Sequence, residues 1–262
     1  MSRVLITGAA AGLGREMARV FAARGDELVL VDRDRDGLEA CAAELDAAER
    51  VTTRVVDLTE PDAVSAVVGA FGHTPLDVLV NNAGITHRSP AVDTAPEVYR
   101  RVMQLDWQVP VELTLALLPQ LRAGAGRIVN IGSMAGWMPV PGRAGYCSAK
   151  AALSQFFEVL RAEEADRDLH VLMVYPAFLE TDIERNALGA GGEPAGHARS
   201  TVGRIRGADE LAGQILRALE NRRAVLFPDR FTWFASLLWR LAPGLFHKLV
   251  RRRFRVELEQ RR

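Results

Sequence analysis

The sequence predicts an α/β domain built on a doubly wound, mostly parallel sheet of seven strands with helices on both faces. Three observations predict it: short β-branched and leucine-rich runs recur along the chain, longer stretches of helical spacing separate them, and a glycine-rich turn ends the first run. The runs are RVLIT at 3–7, ELVLVD at 27–32, VTTRVVD at 51–57, LDVLVNN at 76–82, RIVNIGS at 127–133, HVLMVYP at 170–176 and RAVLFP at 223–228. They read as continuous apolar stretches, the pattern of strands buried on both faces in parallel sheets. Helical spacing fills 13–24, 36–49, 60–71, 95–122, 145–166 and 207–221, with Pro110 expected to kink or divide the fourth. No linker or short-period repeat splits residues 1–230, and GAGGEPAG at 189–196 reads as a flexible loop of the kind that forms lids.

Bulk properties narrow the class. At 262 residues the chain can bury a sizeable core, and 48% hydrophobic and 25% charged residues with zero formal net charge describe a globular protein rather than a disordered or wholly nucleic-acid-binding one. Only Cys41 and Cys147 are present, too few for a disulfide framework, and no start resembling a signal peptide precedes Arg3, so a reducing cytoplasmic location is expected. Arg240 interrupts the apolar patch around Trp233, and no stretch of about 18 apolar residues predicts a spanning helix. No metal site is expected.

The chemistry lies at the ends of the strands. TGAAAGLG, Thr7 to Gly14, places Gly8, Gly12, Leu13 and Gly14 where the first strand becomes the first helix, so the backbone can approach a pyrophosphate at the helix N-terminus, as in a Rossmann-type fold. Asp32 ends the second strand, where a carboxylate accepts from both ribose hydroxyls and repels a 2′-phosphate, favouring NAD. Arg33 supports the alternative, NADP, because its guanidinium could hold that phosphate, while Ala11 adds no second basic group in the turn. Asp57 and Leu58, in VDL, fall beside the adenine, and NNAG puts Asn82, Ala83 and Gly84 after the fourth strand, at the sheet edge where ligands bind.

Lysine is rare here. Lys150 is one of two lysines among 33 basic residues, so its site either keeps an ammonium by chance or needs one that guanidinium cannot replace. Tyr146, four residues earlier, shares its helix face, and Ser133 lies thirteen residues before Tyr146 at the end of the fifth strand. A nearby cation favours phenolate and lowers a phenol pKa from about 10, and a serine hydroxyl can bond a carbonyl or alcohol oxygen.

Together these motifs resemble the single-domain branch of the short-chain dehydrogenase/reductase family over about residues 3–228, in order and in spacing. The resemblance implies Tyr146 as acid/base, Ser133 orienting the substrate oxygen, and Lys150 bonding the nicotinamide ribose while depressing the tyrosine pKa. It implies Thr181 near the carboxamide, with Pro176 and Phe178 around it, and Ala177 where a glycine is usual. Asp106 stands where the family has an asparagine that holds a relay water, and its charge is expected to stabilise the Lys150 ammonium. A homodimer or homotetramer is also implied.

Trp137, Met138, Pro139 and Val140, with Phe178, Leu179 and residues 182–206 opposite, are expected near a mouth for a lipophilic alcohol or ketone. His87 and Arg88 read as solvated loop residues. The extension 231–262 carries eight basic and two acidic residues among aromatics and leucines, which suits either peripheral contact with anionic membrane or a cover for the pocket or a subunit contact. No readout motif for nucleic acid accompanies it. The expected activity is NAD-dependent interconversion of a secondary alcohol and a ketone on a steroid-, lipid- or terpenoid-like molecule. The alternatives are an NADPH-dependent carbonyl reductase and a catalytically slow dinucleotide-bound protein acting at a membrane or on a partner.

Overall fold

The computed structural model describes residues 1–45, 48–69, 71–177, 186–195 and 207–253. Seven parallel strands, β1 (Arg3–Thr7), β2 (Glu27–Asp32), β3 (Val51–Val55), β4 (Val78–Asn81), β5 (Arg127–Ile131), β6 (His170–Val174) and β7 (Val225–Leu226), form one sheet in the order β3-β2-β1-β4-β5-β6-β7. The chain winds from β1 toward β3, then returns to β4 on the other side of β1. That reversal opens a crevice at the carboxyl ends of β1 and β4.

Period-two alternation sorts the strand side chains onto two cores. Val4, Ile6, Leu28, Leu30, Val78, Val80, Val129, Leu172 and Val174 face α1 (Gly12–Ala23), α2 (Arg35–Glu44) and α8 (Ala208–Glu220), through Met17, Phe21, Leu38, Leu211, Ile215 and Leu219. Leu5, Val29, Val31, Leu79, Ile128, Val171 and Met173 face α3 (Ala63–Gly69), α5 (Val109–Ala116), α6 (Leu118–Ala123) and α7 (Ala144–Glu163), through Val67, Leu113, Leu121, Leu153 and Phe157. Both faces are therefore covered, as the apolar runs predicted.

Three expectations need correction. The third strand is not buried on both faces: β3 is an edge strand paired only with β2, and its Thr52, Arg54 and Val55 are exposed. The long helix breaks ahead of Pro110 rather than at it. α4 (Pro96–Met103) passes through a π turn at Gln104–Gln108 before α5, whose second residue is Pro110. Proline has no N–H to close the preceding turn, and the Val109 amide instead donates to the Gln104 carbonyl. Finally, the described part of the presumed flexible loop, 189–195, is pinned: Gly189 N donates to Glu193 O at 2.6 Å, and Ala95 N donates to Ala190 O at 2.8 Å. The neighbouring Leu188 exchanges bonds with Thr86 and Arg88.

β7 is followed by α9 (Arg230–Leu241) and α10 (Pro243–Arg253). Asp229 caps α9, its side chain accepting from Phe231 N.

Candidate active site

A cleft of about 390 Å³ lies at the crevice, and its lining includes Gly8, Gly12, Leu13, Asp32, Arg33, Asp57, Leu58, Asn82, Ala83, Gly84, Ser133, Tyr146, Lys150 and Pro176. Sequence reasoning thus named residues from six strand ends and from α7 that the fold brings to one place. Thr181, Phe178 and Leu179, and most of 182–206, lie outside the described residues.

The glycine turn is a close approach of backbone to backbone. Gly8 has φ +68°, in the left-handed region. A Cβ on Gly14 would sit 1.9 Å from the Gly8 carbonyl oxygen and 2.7 Å from Asn82 Nδ2. Asn82 locks this corner, donating from Nδ2 to the carbonyls of Thr7 (2.9 Å) and Gly8 (3.0 Å), while the Thr7 hydroxyl accepts from the amides of Asn82 and Ala83. Asn81, by contrast, belongs to the sheet, where its amide donates to Asn130 Oδ1 at 2.9 Å. α1 starts without a side-chain cap, so first-turn amides lack an internal acceptor beside a turn in which Gly8, Gly12 and Gly14 carry no Cβ. These features fit a dinucleotide pyrophosphate.

Around the ribose corner, Asp32 accepts from Ala10 N at 3.0 Å and from Asp34 N at 3.1 Å, which fixes its carboxylate at the cleft wall. Burial works against the charge of Asp57, but the Thr59 hydroxyl and amide, then Arg33 and Arg101, outweigh it and hold its pKa below the ordinary value. Arg101, on α4, also lines the cleft and had no motif to announce it.

At the other end, Ser133 caps a short 3₁₀ turn, Met134–Gly136, its Oγ accepting from Ala135 N at 3.1 Å. Lys150 is 4% exposed, and its Nζ donates to the Ile131 carbonyl at 3.0 Å, lies 3.4 Å from Asp106 Oδ2 and sits 5.8 Å from the centre of the Tyr146 ring. Asp106 is fully buried in the π turn, and its Oδ1 accepts from Ile85 N at 2.7 Å. Burial pushes its pKa up, against the pull of Lys150. The π turn therefore aims a carboxylate at Lys150 from beneath the cleft.

Sequence reasoning missed the support of the tyrosine helix. His87 and Arg88 are buried, not solvated. No side chain of its own caps α7, and His87 Nε2 accepts the Gly145 amide at 2.9 Å, next to Tyr146. Nε2 must then be unprotonated, so Nδ1 carries the proton and donates to Ser89 Oγ at 3.2 Å. Ser89 passes the polarity to Thr94, whose hydroxyl donates to Pro90 O. Burial, reinforced by Arg143, lowers the His87 pKa to about 4. A histidine held neutral by the fold contributes stability that is fully present above its ordinary pKa of 6.5 and is lost as pH falls through about 4. Wild type should lose denaturation midpoint across that window more steeply than His87→Asn, and parallel pH profiles would remove the histidine from this role.

The expected mouth also changes. Trp137 does not line the cleft; it packs edge-on against Tyr175 (5.0 Å) and Phe227 (5.1 Å), with the Arg240 guanidinium 4.0 Å over its ring. Met138, Pro139 and Val140 are likewise absent from the lining, whose apolar members include Ile85, Leu105 and Leu188.

Known proteins resemble this chain in sequence and fold. A family model described as short chain dehydrogenase matches residues 2–189. Dehydrogenase/reductase SDR family member 7B of Bos taurus is 40% identical over 267 residues, covering 97% of this chain and 82% of its own. The protein of that name from Mus musculus is 36% identical over 265 residues, covering 97% and 81%. Among solved structures, a short-chain dehydrogenase from Sphingobium yanoikuyae in complex with NADPH superposes with a TM-score of 0.80 at 31% identity, over 95% of each chain. A short-chain dehydrogenase from Streptomyces avermitilis gives a TM-score of 0.77 at 28% identity, over 95% of this chain and 98% of that one.

Proposed function

This chain belongs to the short-chain dehydrogenase family, and from that premise we propose that it is an NAD-dependent oxidoreductase interconverting a secondary alcohol and a ketone on a lipophilic small molecule. One observation carries the reading: Ser133, Tyr146 and Lys150 line the same cleft as Gly8, Gly12 and Asp32, so proton-transfer groups and a dinucleotide cradle share one space.

Gly8, Gly12, Leu13 and Gly14 would hold the pyrophosphate, Asp32 the adenosine ribose, Asp57 and Leu58 the adenine, and Asn82 to Gly84 with Pro176 the inner half; Thr181 would complete it. A bound nicotinamide supplies or takes up the hydride. The protein's own part is the proton. In oxidation the substrate O–H proton passes to the Tyr146 phenolate as hydride leaves the carbinol carbon; in reduction the Tyr146 phenol returns it to the carbonyl oxygen. Ser133 Oγ would hydrogen-bond that oxygen. The Lys150 ammonium, bonded to Ile131 O and facing Asp106, favours the phenolate and suits a ribose hydroxyl as a compact point charge that the broader guanidinium fork would not reproduce. Asp106 acts through Lys150 and is a positioning residue.

Ile85, Leu105 and Leu188 support a steroid-, lipid- or terpenoid-like substrate. Leu115 on α5 and Val159 on α7, each nearly half exposed, support a homodimer or homotetramer joined through the long helices.

Asp32 decides the cofactor in this reading. NADH should bind tighter than NADPH by on the order of tenfold in a fluorescence titration, since a 2′-phosphate meets a fixed carboxylate, and Asp32→Ala should erase the preference. Tighter NADPH binding by wild type would favour the second reading, an NADPH-dependent carbonyl reductase. Arg33 on the cleft wall and the neighbour solved with NADPH support that alternative.

A further inference from the structure

We propose that the outer face of α9 and α10 docks the protein onto an anionic lipid bilayer, lying along its surface. No helix among the described residues is long and apolar enough to cross a membrane. The two helices do have a used inner face. Trp239 packs against Phe246 at 5.5 Å and His247 at 5.0 Å, Ser236 and Phe246 are buried, and Arg240 reaches across to Trp137.

The outer face is different. Phe231 (56% exposed), Phe234 (56%), Leu241 (82%), Leu245 (52%) and Leu249 (49%) present large apolar side chains to solvent. Phe231 and Phe234 are three apart on α9 and Leu241 follows seven later, while Leu245 and Leu249 are four apart on α10, so each set occupies one side of its helix. Lys248 and Arg252 share the α10 side, and Arg230, four before Phe234, shares the α9 side. Residues 230–253 hold six basic residues and no acidic one in a chain of zero net charge, so the rest of the molecule carries an opposing negative excess.

An apolar band with Arg230, Lys248 and Arg252 beside it, Asp229 being engaged in capping α9, is complementary to acyl chains beneath anionic headgroups. A two-fold contact with a second copy would instead set like charges against each other. Nucleic acid would match the cations and leave the phenylalanines and leucines without partners. The docking is independent of the proposed hydride transfer.

Co-sedimentation of the full chain with phosphatidylcholine vesicles, with and without phosphatidylglycerol, tests this. Binding should be at least about tenfold stronger with phosphatidylglycerol and should collapse at about 0.5 M salt. Leu245→Glu/Leu249→Glu should abolish it, and Lys248→Gln/Arg252→Gln should remove the preference for anionic lipid, both with unchanged circular dichroism and thermal midpoint. Absence of binding to phosphatidylglycerol vesicles, equal binding to neutral vesicles, or wild-type binding by the variants would each overturn the proposal. So would a dimer, seen by sedimentation velocity, that the variants dissociate without any vesicle binding by wild type.

Discussion

Tyr146→Phe should bind dinucleotide within about twofold of wild type and lose turnover by about 10²- to 10⁴-fold, the usual contribution of a positioned general acid/base. The substitution keeps the ring and removes one oxygen. The ring's setting does not depend on that oxygen alone: α7 is held at its start by the His87 bond to Gly145, and Lys150 is held separately by Ile131 O and Asp106. Binding and chemistry should therefore separate. Equilibrium titration with NADH, followed by turnover once a substrate is found among hydrophobic alcohols and ketones, reads both. Unchanged turnover would take the proton transfer away from Tyr146, whereas parallel loss of binding would make the hydroxyl a structural group.

The second large effect is expected from Gly14→Ala. Helix propensity alone would make this change favourable by about 1 kcal/mol, because alanine outranks glycine within a helix. Sterics reverse the sign. The new Cβ would fall 1.9 Å from the Gly8 carbonyl oxygen and 2.7 Å from Asn82 Nδ2, and the first of these is backbone that cannot rotate away. α1 must then shift from β1, breaking the corner that Asn82 holds. Overpacking at a rigid contact costs about 1–3 kcal/mol, so a lower thermal midpoint is expected despite the propensity gain. NADH affinity should drop by at least about tenfold, since the same corner forms the pyrophosphate cradle. A variant of equal midpoint and affinity would show that the turn has slack the geometry denies.

Much of this was legible because it is local. Runs such as VLIT and VLVN announced β1 and β4 through continuous burial, while VTTRV was misread because an edge strand buries less. Pro110 marked a break, yet where its missing N–H would be felt, in a π turn that buries Asp106, depended on the packing of α4 and α5. His87 had no pattern around it; its partner lies 58 residues away. Trp137 looked like a pocket residue by its place in the chain, and α9 claimed it instead.

The sequence by itself determined the doubly wound architecture, the glycine turn and the spacing of Ser133, Tyr146 and Lys150, since periodicity, turn chemistry and helix pitch act over a few residues. Only the tertiary structure decided that Asp106 faces Lys150, that His87 steadies the tyrosine helix, and that α9 turns Trp137 inward while leaving Phe231 and Phe234 outside. Those outcomes are contacts between segments far apart in the chain, and which residues meet there is set by how whole elements pack.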